Sequence, residues 1–214
     1  MDLPKIKQLA YDLMGSTKSH EWKEIGNKYY HGLRVAILAL KLRSYVLPED
    51  DSHDDILTVA AWFHDISNGK ENHAVEGAIK AREILAEYCS EYELNEICKI
   101  ISVHDDRYSD RAMFSDYTKL HQDADHLDHF GTYDVWMEIV YALHHNDTIP
   151  EVIEWFQNTS RKYDKQFHAE LNYDISKIIY QEKREFLHSF GDRFSVEATG
   201  GIWLEDQLLK TYKA

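Results

Sequence analysis

Glycine and proline are scarce in this chain, at 9 and 3 of 214 residues. A β-sandwich or a glycine-looped α/β fold needs turn residues about every 8–12 positions, so both are excluded and an all-α fold is expected. Cysteine is almost absent too. Cys89 and Cys98 make neither a metal motif nor a disulfide framework, which points to a reducing, cytoplasmic setting. Basic residues fall well short of acidic ones, 24 against 38, for a net charge of −14. Such a chain repels phosphate backbones, so nucleic-acid polymers are excluded as partners. A small anion is admissible only where a metal or a local basic cluster reverses the field. Long apolar runs are missing as well: the longest, Val35–Leu40, has six residues, and the N-terminus lacks the apolar stretch of an export signal. No membrane span and no membrane partner are expected. Nor is there a Gly-x-x-x-x-Gly-Lys-[Ser/Thr] loop, a His-Glu-x-x-His pair or a Gly-x-Ser-x-Gly elbow, which removes P-loop, zincin and serine-hydrolase chemistry.

What the chain does have is core material and histidine. Apolar residues make up 43% and aromatics 13% of it, ample for one domain over 1–214. Helices are expected over Leu3–Met14, from an N-cap at Ser19 to Leu47 before Pro48, and over Ile56–Ile66 behind a Ser52/Asp55 capping box. Further helices are expected over Glu71–Tyr88, Leu94–His104, Ser115–His129, Tyr133–His144, from Thr148 to Tyr163, over Ile175–Phe190, and over Leu204–Tyr212 in an otherwise irregular tail (191–214). Leu33–Leu42 is apolar on nearly every side and reads as a helix buried all round.

Thirteen histidines are an excess, and their placement matters. His64 and Asp65 end the apolar stretch Val59-Ala-Ala-Trp-Phe-His-Asp-Ile, and each falls at i+4 and i+8 spacing from apolar residues of that stretch. Polar groups aimed into a core must pair or bind a cation. A buried His–Asp hydrogen bond capping the helix meets that need as well as a metal does. His31 shares the face of Val35, Leu38 and Leu42, and Asp125 lies between Leu120, Ala124 and Leu127 at helical spacing. Singly, each reads as a satisfied core group or a cap. Together they offer two nitrogen and two carboxylate ligands from three helices, a set suited to a divalent metal with open positions.

The order His … His-Asp … Asp resembles the HD-domain metal-dependent phosphohydrolases, which are all-α. The flanks agree: Tyr30-His31-Gly-Leu-Arg34-Val35, Trp62-Phe63-His64-Asp65-Ile66 and Gln122-Asp123-Ala124-Asp125-His126-Leu127-Asp128. The likeness is greatest to the compact, stand-alone bacterial members and covers about residues 20–190. It implies that His31, His64, Asp65 and Asp125 hold one divalent metal ion (Mn, Fe, Co, Ni, Zn or Mg, with Mn favoured). It also implies that a water on that ion attacks a phosphate ester or anhydride, Asp65 assisting. A nucleotide is the expected substrate, cleaved from triphosphate to monophosphate and pyrophosphate as in some members. Members acting as 5′-nucleotidases usually carry a glutamate three residues after the His-Asp pair; Asn68 stands here, which turns the reading away from monophosphates.

Candidate groups for the phosphates lie close in sequence. Lys70 occupies a position where the compact members usually have lysine, and Glu76 matches an acid often found there. Lys28 and Arg34 sit one turn either side of His31, and His104 ends another apolar helix, placed to contact phosphate or protonate a leaving oxygen. A solvated helix face explains Lys28 and Arg34 equally. Tyr133, Trp136 and Tyr141 could line a base pocket, though packing accounts for them. His126, His129, His144 and His145 suggest a second metal site no more strongly than they suggest core or surface histidines. A non-catalytic domain that senses a metal or nucleotide is the alternative. Asp50, Asp51 and Asp54 spell the Asp-Asp-x-x-Asp motif of isoprenoid diphosphate enzymes, but in a connector after Pro48, where helix capping explains them better. A homodimer stays open, because the sequence does not separate exposed apolar residues from core.

Overall fold

The computed structural model describes residues 1–213, and among them there are helices and no strands. The order is α1 (Leu3–Met14), α2 (Asn27–Val46), α3 (Asp54–Phe63), α4 (His73–Leu85), α5 (Glu91–Ser102), α6 (Asp116–Asp128), α7 (Thr132–His145), α8 (Ile149–Gln157), α9 (Asp164–Glu170), α10 (Asp174–Ala198) and α11 (Glu205–Tyr212), with single 3₁₀ turns at Arg111–Met113 and Thr159–Arg161.

The centre of the fold is α2, which packs against α3 on one side and α6 on the other. Small residues make the first of these contacts close. A Cβ on Gly32 would stand 2.8 Å from the Ala61 carbonyl oxygen and 3.1 Å from the Trp62 Cα. Only glycine lets the two backbones approach so far, one residue from His31. Helix α3 is the one buried on all sides, from Ile56 to Phe63 without interruption. That role was expected of Leu33–Leu42; instead Ile37 is 72% exposed, because α2 has a solvent face between its two partners. Ile6, Ala10 and Met14 of α1 join the same core, as do Ile97, Ile100 and Ile101 of α5. Ala142, Val152, Phe156 and Leu187 form a smaller core where α7, α8 and α10 meet.

Several boundaries differ from the sequence reading, each for a local reason. Ser19 does not cap α2. Its N–H donates to Asn27 Oδ1 (2.9 Å) and its Oγ accepts from Asn27 Nδ2 (2.8 Å), which ties residues 19–26 into a loop. The helix starts after Gly26, whose φ of 77° suits glycine. Ser52 and Asp55 make no capping box, since the Ser52 hydroxyl donates to Asp50 Oδ1 (2.6 Å). Capping boxes form instead at Ser90–Glu93 of α5 and Thr148–Glu151 of α8. Helix α8 stops at Gln157, short of Tyr163, α9 was not foreseen, and α10 runs unbroken past Phe190 to Ala198.

Candidate metal centre

His31 lies in the second turn of α2, His64 and Asp65 just past the last turn of α3, and Asp125 in α6. Because α2 touches both other helices, the three meet at one point. His31 Nε2 and His64 Nε2 stand 3.2 Å apart. Asp125 Oδ1 is 3.1 Å from the first and 3.5 Å from the second. Asp65 Oδ1 lies 3.9 Å from His64 Nε2. The four residues singled out in the sequence are thus brought together. His31, His64 and Asp65 offer ligand atoms within 4.8 Å of one another, and so do His31, Asp125 and His129.

The hydrogen bonds around the imidazoles decide what the centre needs. His64 Nδ1 donates to the Ala61 carbonyl (2.8 Å) and His31 Nδ1 to Asp128 Oδ2 (2.8 Å). Both protons being spent there, the two Nε2 atoms of the neutral rings present lone pairs to each other and to a carboxylate. Buried acceptors facing one another repel unless a cation lies between them. Protons can serve: against the pull of burial, hydrogen bonds to Asp125 and Asp128 raise His31 to about 10. Burial opposes ionisation of Asp125 too, yet its bonds to His31 and His64 hold it well below the usual carboxylate range. A divalent metal meets the same demand with the same atoms, so the donor set fits one.

Neighbouring groups orient the donors. Asp128 also accepts from Arg34 Nε (2.9 Å) and NH2 (2.8 Å), and the Arg34 guanidinium lies over the Tyr133 ring at 4.1 Å. Asn68 Nδ2 donates to Asp65 Oδ2 (2.7 Å), leaving Oδ1 turned to the centre. His104 is buried, its Nδ1 donating to the Ile101 carbonyl (2.8 Å) and its Nε2 lying 3.9 Å from Asp65 Oδ1. Burial, then His64, depresses its pKa. Sequence reasoning did not single out Asp128, His73 and Arg107, which the structure sets beside the four. Asp128 lay in a quoted motif one turn beyond Asp125, a usable signal; Arg107, 3.3 Å from Asp125 Oδ2, and His73 offered none.

The centre forms the floor of a cleft of about 470 Å³. Trp22, Phe130, Tyr133, Met137 and Phe167 give part of its lining an apolar and aromatic character. Lys23 is the one lysine or arginine lining it among the described residues, and burial there lowers its pKa against the opposing charge of Asp65. The four phosphate candidates named from the sequence do not line it. Lys28 Nζ donates to the Asn68 carbonyl (3.0 Å), Arg34 is committed to Asp128, and Lys70 and Glu76 are exposed. His126 and His129 line the cleft with Tyr133, whereas His144 and His145 are exposed at the far end of α7. Trp136 donates to Glu24 Oε2 (3.0 Å) from an exposed position, and Tyr141 packs edge-on against Trp22. Asp54, in the aspartate-rich connector, is held by Arg43 Nε (2.8 Å) and NH2 (2.6 Å), and Asp50 binds Ser52, so neither is arranged for a diphosphate.

No helix among the described residues is long and apolar enough to cross a membrane. Among proteins of curated function, none matches the chain in sequence. Solved structures do resemble it. An HD-superfamily hydrolase of Bacillus thuringiensis is 22% identical with a TM-score of 0.67, covering 92% of this chain and 96% of the other. A predicted HD-superfamily hydrolase from an uncultured Thermotogales bacterium is 20% identical with a TM-score of 0.60, covering 91% and 92%. YpgQ of Bacillus subtilis, solved in complex with ADP, is 18% identical with a TM-score of 0.59, covering 87% and 89%. Residues 29–129, which span every ligand candidate from His31 to Asp125, match the model of the HD domain. With its helices and its dispersed His … His-Asp … Asp set in agreement with this match, residues 29–129 of the chain carry an HD domain.

Proposed function

We propose that this protein hydrolyses a phosphate ester or anhydride of a small molecule, a nucleotide in particular, with conversion of a triphosphate to monophosphate and pyrophosphate as the favoured reaction. The observation that carries this reading is the convergence of His31, His64, Asp65 and Asp125 on one point at the floor of a cleft. A divalent cation, Mn²⁺ by preference, supplies an acidified water and a polarised phosphoryl oxygen when bound there. The chain's residues do the rest. Asp65 faces the cation with Oδ1, and its other oxygen, Oδ2, which also accepts from Asn68, hydrogen-bonds the attacking water. Lys23 meets the phosphates, a role its place in the cleft of a strongly acidic protein supports. Lys28, Arg34, Lys70 and Glu76 act at most around the mouth. The wall of Trp22, Tyr133 and Phe167 suits a flat ring, and the ADP complex of YpgQ is in keeping with a nucleotide.

The test is turnover of a panel of nucleoside mono-, di- and triphosphates with Mn²⁺, scored separately for phosphate and pyrophosphate. Pyrophosphate from a triphosphate, and its loss in a folded Asp65→Asn variant, is the expected result. Metal binding without turnover of any nucleotide would favour the sensing domain instead. Full activity in Asp65→Asn would remove Asp65 from the chemistry.

A further inference from the structure

Asp125 gathers more donors around one oxygen than the four residues of the centre account for. Its Oδ2 accepts from Arg107 NH2 (3.3 Å), which leaves Oδ1 to the imidazoles. Three of their nitrogens surround it: His31 Nε2 at 3.1 Å, His64 Nε2 at 3.5 Å and His129 Nε2 at 3.8 Å. Two atoms bound to one ion at about 2.1 Å each lie about 3–4 Å apart. All three spacings fall in that range, so His129 is set as the two ligand candidates are.

Local sequence brings His129 there. It caps the C-terminus of α6 four residues after Asp125, and side chains at that interval share one helix face. The paired ligands of helical metal motifs use the same interval. Helix α2 supplies the donor opposite: the His129 ring lies 5.0 Å from that of His31, and His31, Asp125 and His129 offer ligand atoms all within 4.8 Å of one another. The side chain is 55% exposed and lines the cleft, so it has room to close on an ion. A plain ion pair with Asp125 is the other account of the contact. At 3.8 Å it is too long for a hydrogen bond, and both oxygens of Asp125 already have nearer partners.

We infer that His129 is a fifth protein ligand of the metal centre, completing a set of three imidazoles and two carboxylates. The inference rests on the reading of His31, His64, Asp65 and Asp125 as the other four, and it adds a selectivity to that site. Imidazole suits the later transition ions, whereas carboxylate and water suit Mg²⁺. The third nitrogen therefore biases the centre towards a transition ion and against Mg²⁺.

The experiment is titration of the purified full chain, stripped with chelator, with Co²⁺ alone and with Mg²⁺ alone. Visible absorption of the Co²⁺-loaded protein reports the ligands, and melting of the metal-free protein controls for folding. His129→Ala is expected to weaken Co²⁺ binding by at least about tenfold, the loss that even an outer partner of a ligand causes. It should leave Mg²⁺ binding within about twofold of the wild type, since Mg²⁺ gains little from imidazole. Its Co²⁺ spectrum should change, and free imidazole entering from the cleft should restore the wild-type bands. Unchanged Co²⁺ affinity and spectrum in a folded His129→Ala variant would overturn the fifth ligand and leave the other four intact. Equal losses for Co²⁺ and Mg²⁺ with an unchanged spectrum would overturn it too, making His129 a neighbour of the centre only. No bound Co²⁺ in the wild type, or full binding by a folded His64→Ala variant, would overturn the centre itself.

Discussion

Asp128 lies outside the lining of the cleft, yet it orients His31, a ligand of the proposed metal centre. Its two oxygens accept four hydrogen bonds, one from His31 Nδ1 at 2.8 Å and three from Arg34 at 2.9, 3.1 and 2.8 Å. Burial disfavours its charge, but His31 and Arg34 together hold its pKa down at about 2, so it is ionised at every working pH. In Asp128→Asn one oxygen becomes an NH₂ group. A donor then faces either His31 or Arg34, and His31 loses the contact that fixes which nitrogen carries its proton. Removing the outer partner of a ligating histidine weakens metal binding about 10–100-fold, or about 1.4–2.8 kcal/mol. The assay is competition for Mn²⁺ between the protein and a chromophoric chelator near neutral pH, with melting of the metal-free protein as the control for folding. Arg34→Gln breaks only the other half of the network and should stay close to the wild type. An Asp128→Asn protein that folds and binds Mn²⁺ within about twofold of the wild type would refute the reasoning.

Three other outcomes follow from named contacts. Gly32→Ala pushes a methyl into the Ala61 carbonyl and separates α2 from α3. It should destabilise the metal-free protein by about 1–3 kcal/mol in urea unfolding and weaken Mn²⁺ binding as well. Lys23→Met should raise KM for a triphosphate about tenfold or more with little change in Mn²⁺ affinity, while Lys70→Met leaves KM unchanged; equal effects would remove Lys23 from the cleft's chemistry. Glu138 is raised from its ordinary 4.5 to about 7 by burial, then by Asp134 and Asp147. The folded protein thus keeps a proton that the unfolded chain releases, and stability falls as pH rises from about 4.5 to about 7. Glu138→Gln should then gain about 1–3 kcal/mol at pH 8 and nothing below pH 4, read by unfolding at both pH values.

Much of the fold could be read directly from the chain. The proline in the first turn of α8 and the 3.6-residue spacing of apolar positions act within one or two turns, so their effects are written locally. The same locality misled where a serine had another partner: Ser19 bonds Asn27 eight residues on and forms a loop in place of a cap. The ligands were legible for a related reason. A histidine or an aspartate on an apolar face is costly wherever that face packs, so His31, His64, Asp65 and Asp125 stood out before their neighbours were known.

The tertiary structure decided which charges reach the cleft. Long cationic side chains go to whatever acceptor packing brings near. Arg34 finds Asp128 at 94 residues' separation, and Lys28 finds the Asn68 carbonyl at 40. Both pairings hold those side chains outside the cleft lining, while a loop closed by Asn27 carried Lys23 in. His73, too, came beside His104 only when α4 folded back against α5. Residue type and spacing named the acids and imidazoles a cation would want; only the packing of α2 between α3 and α6 brought them within reach of one.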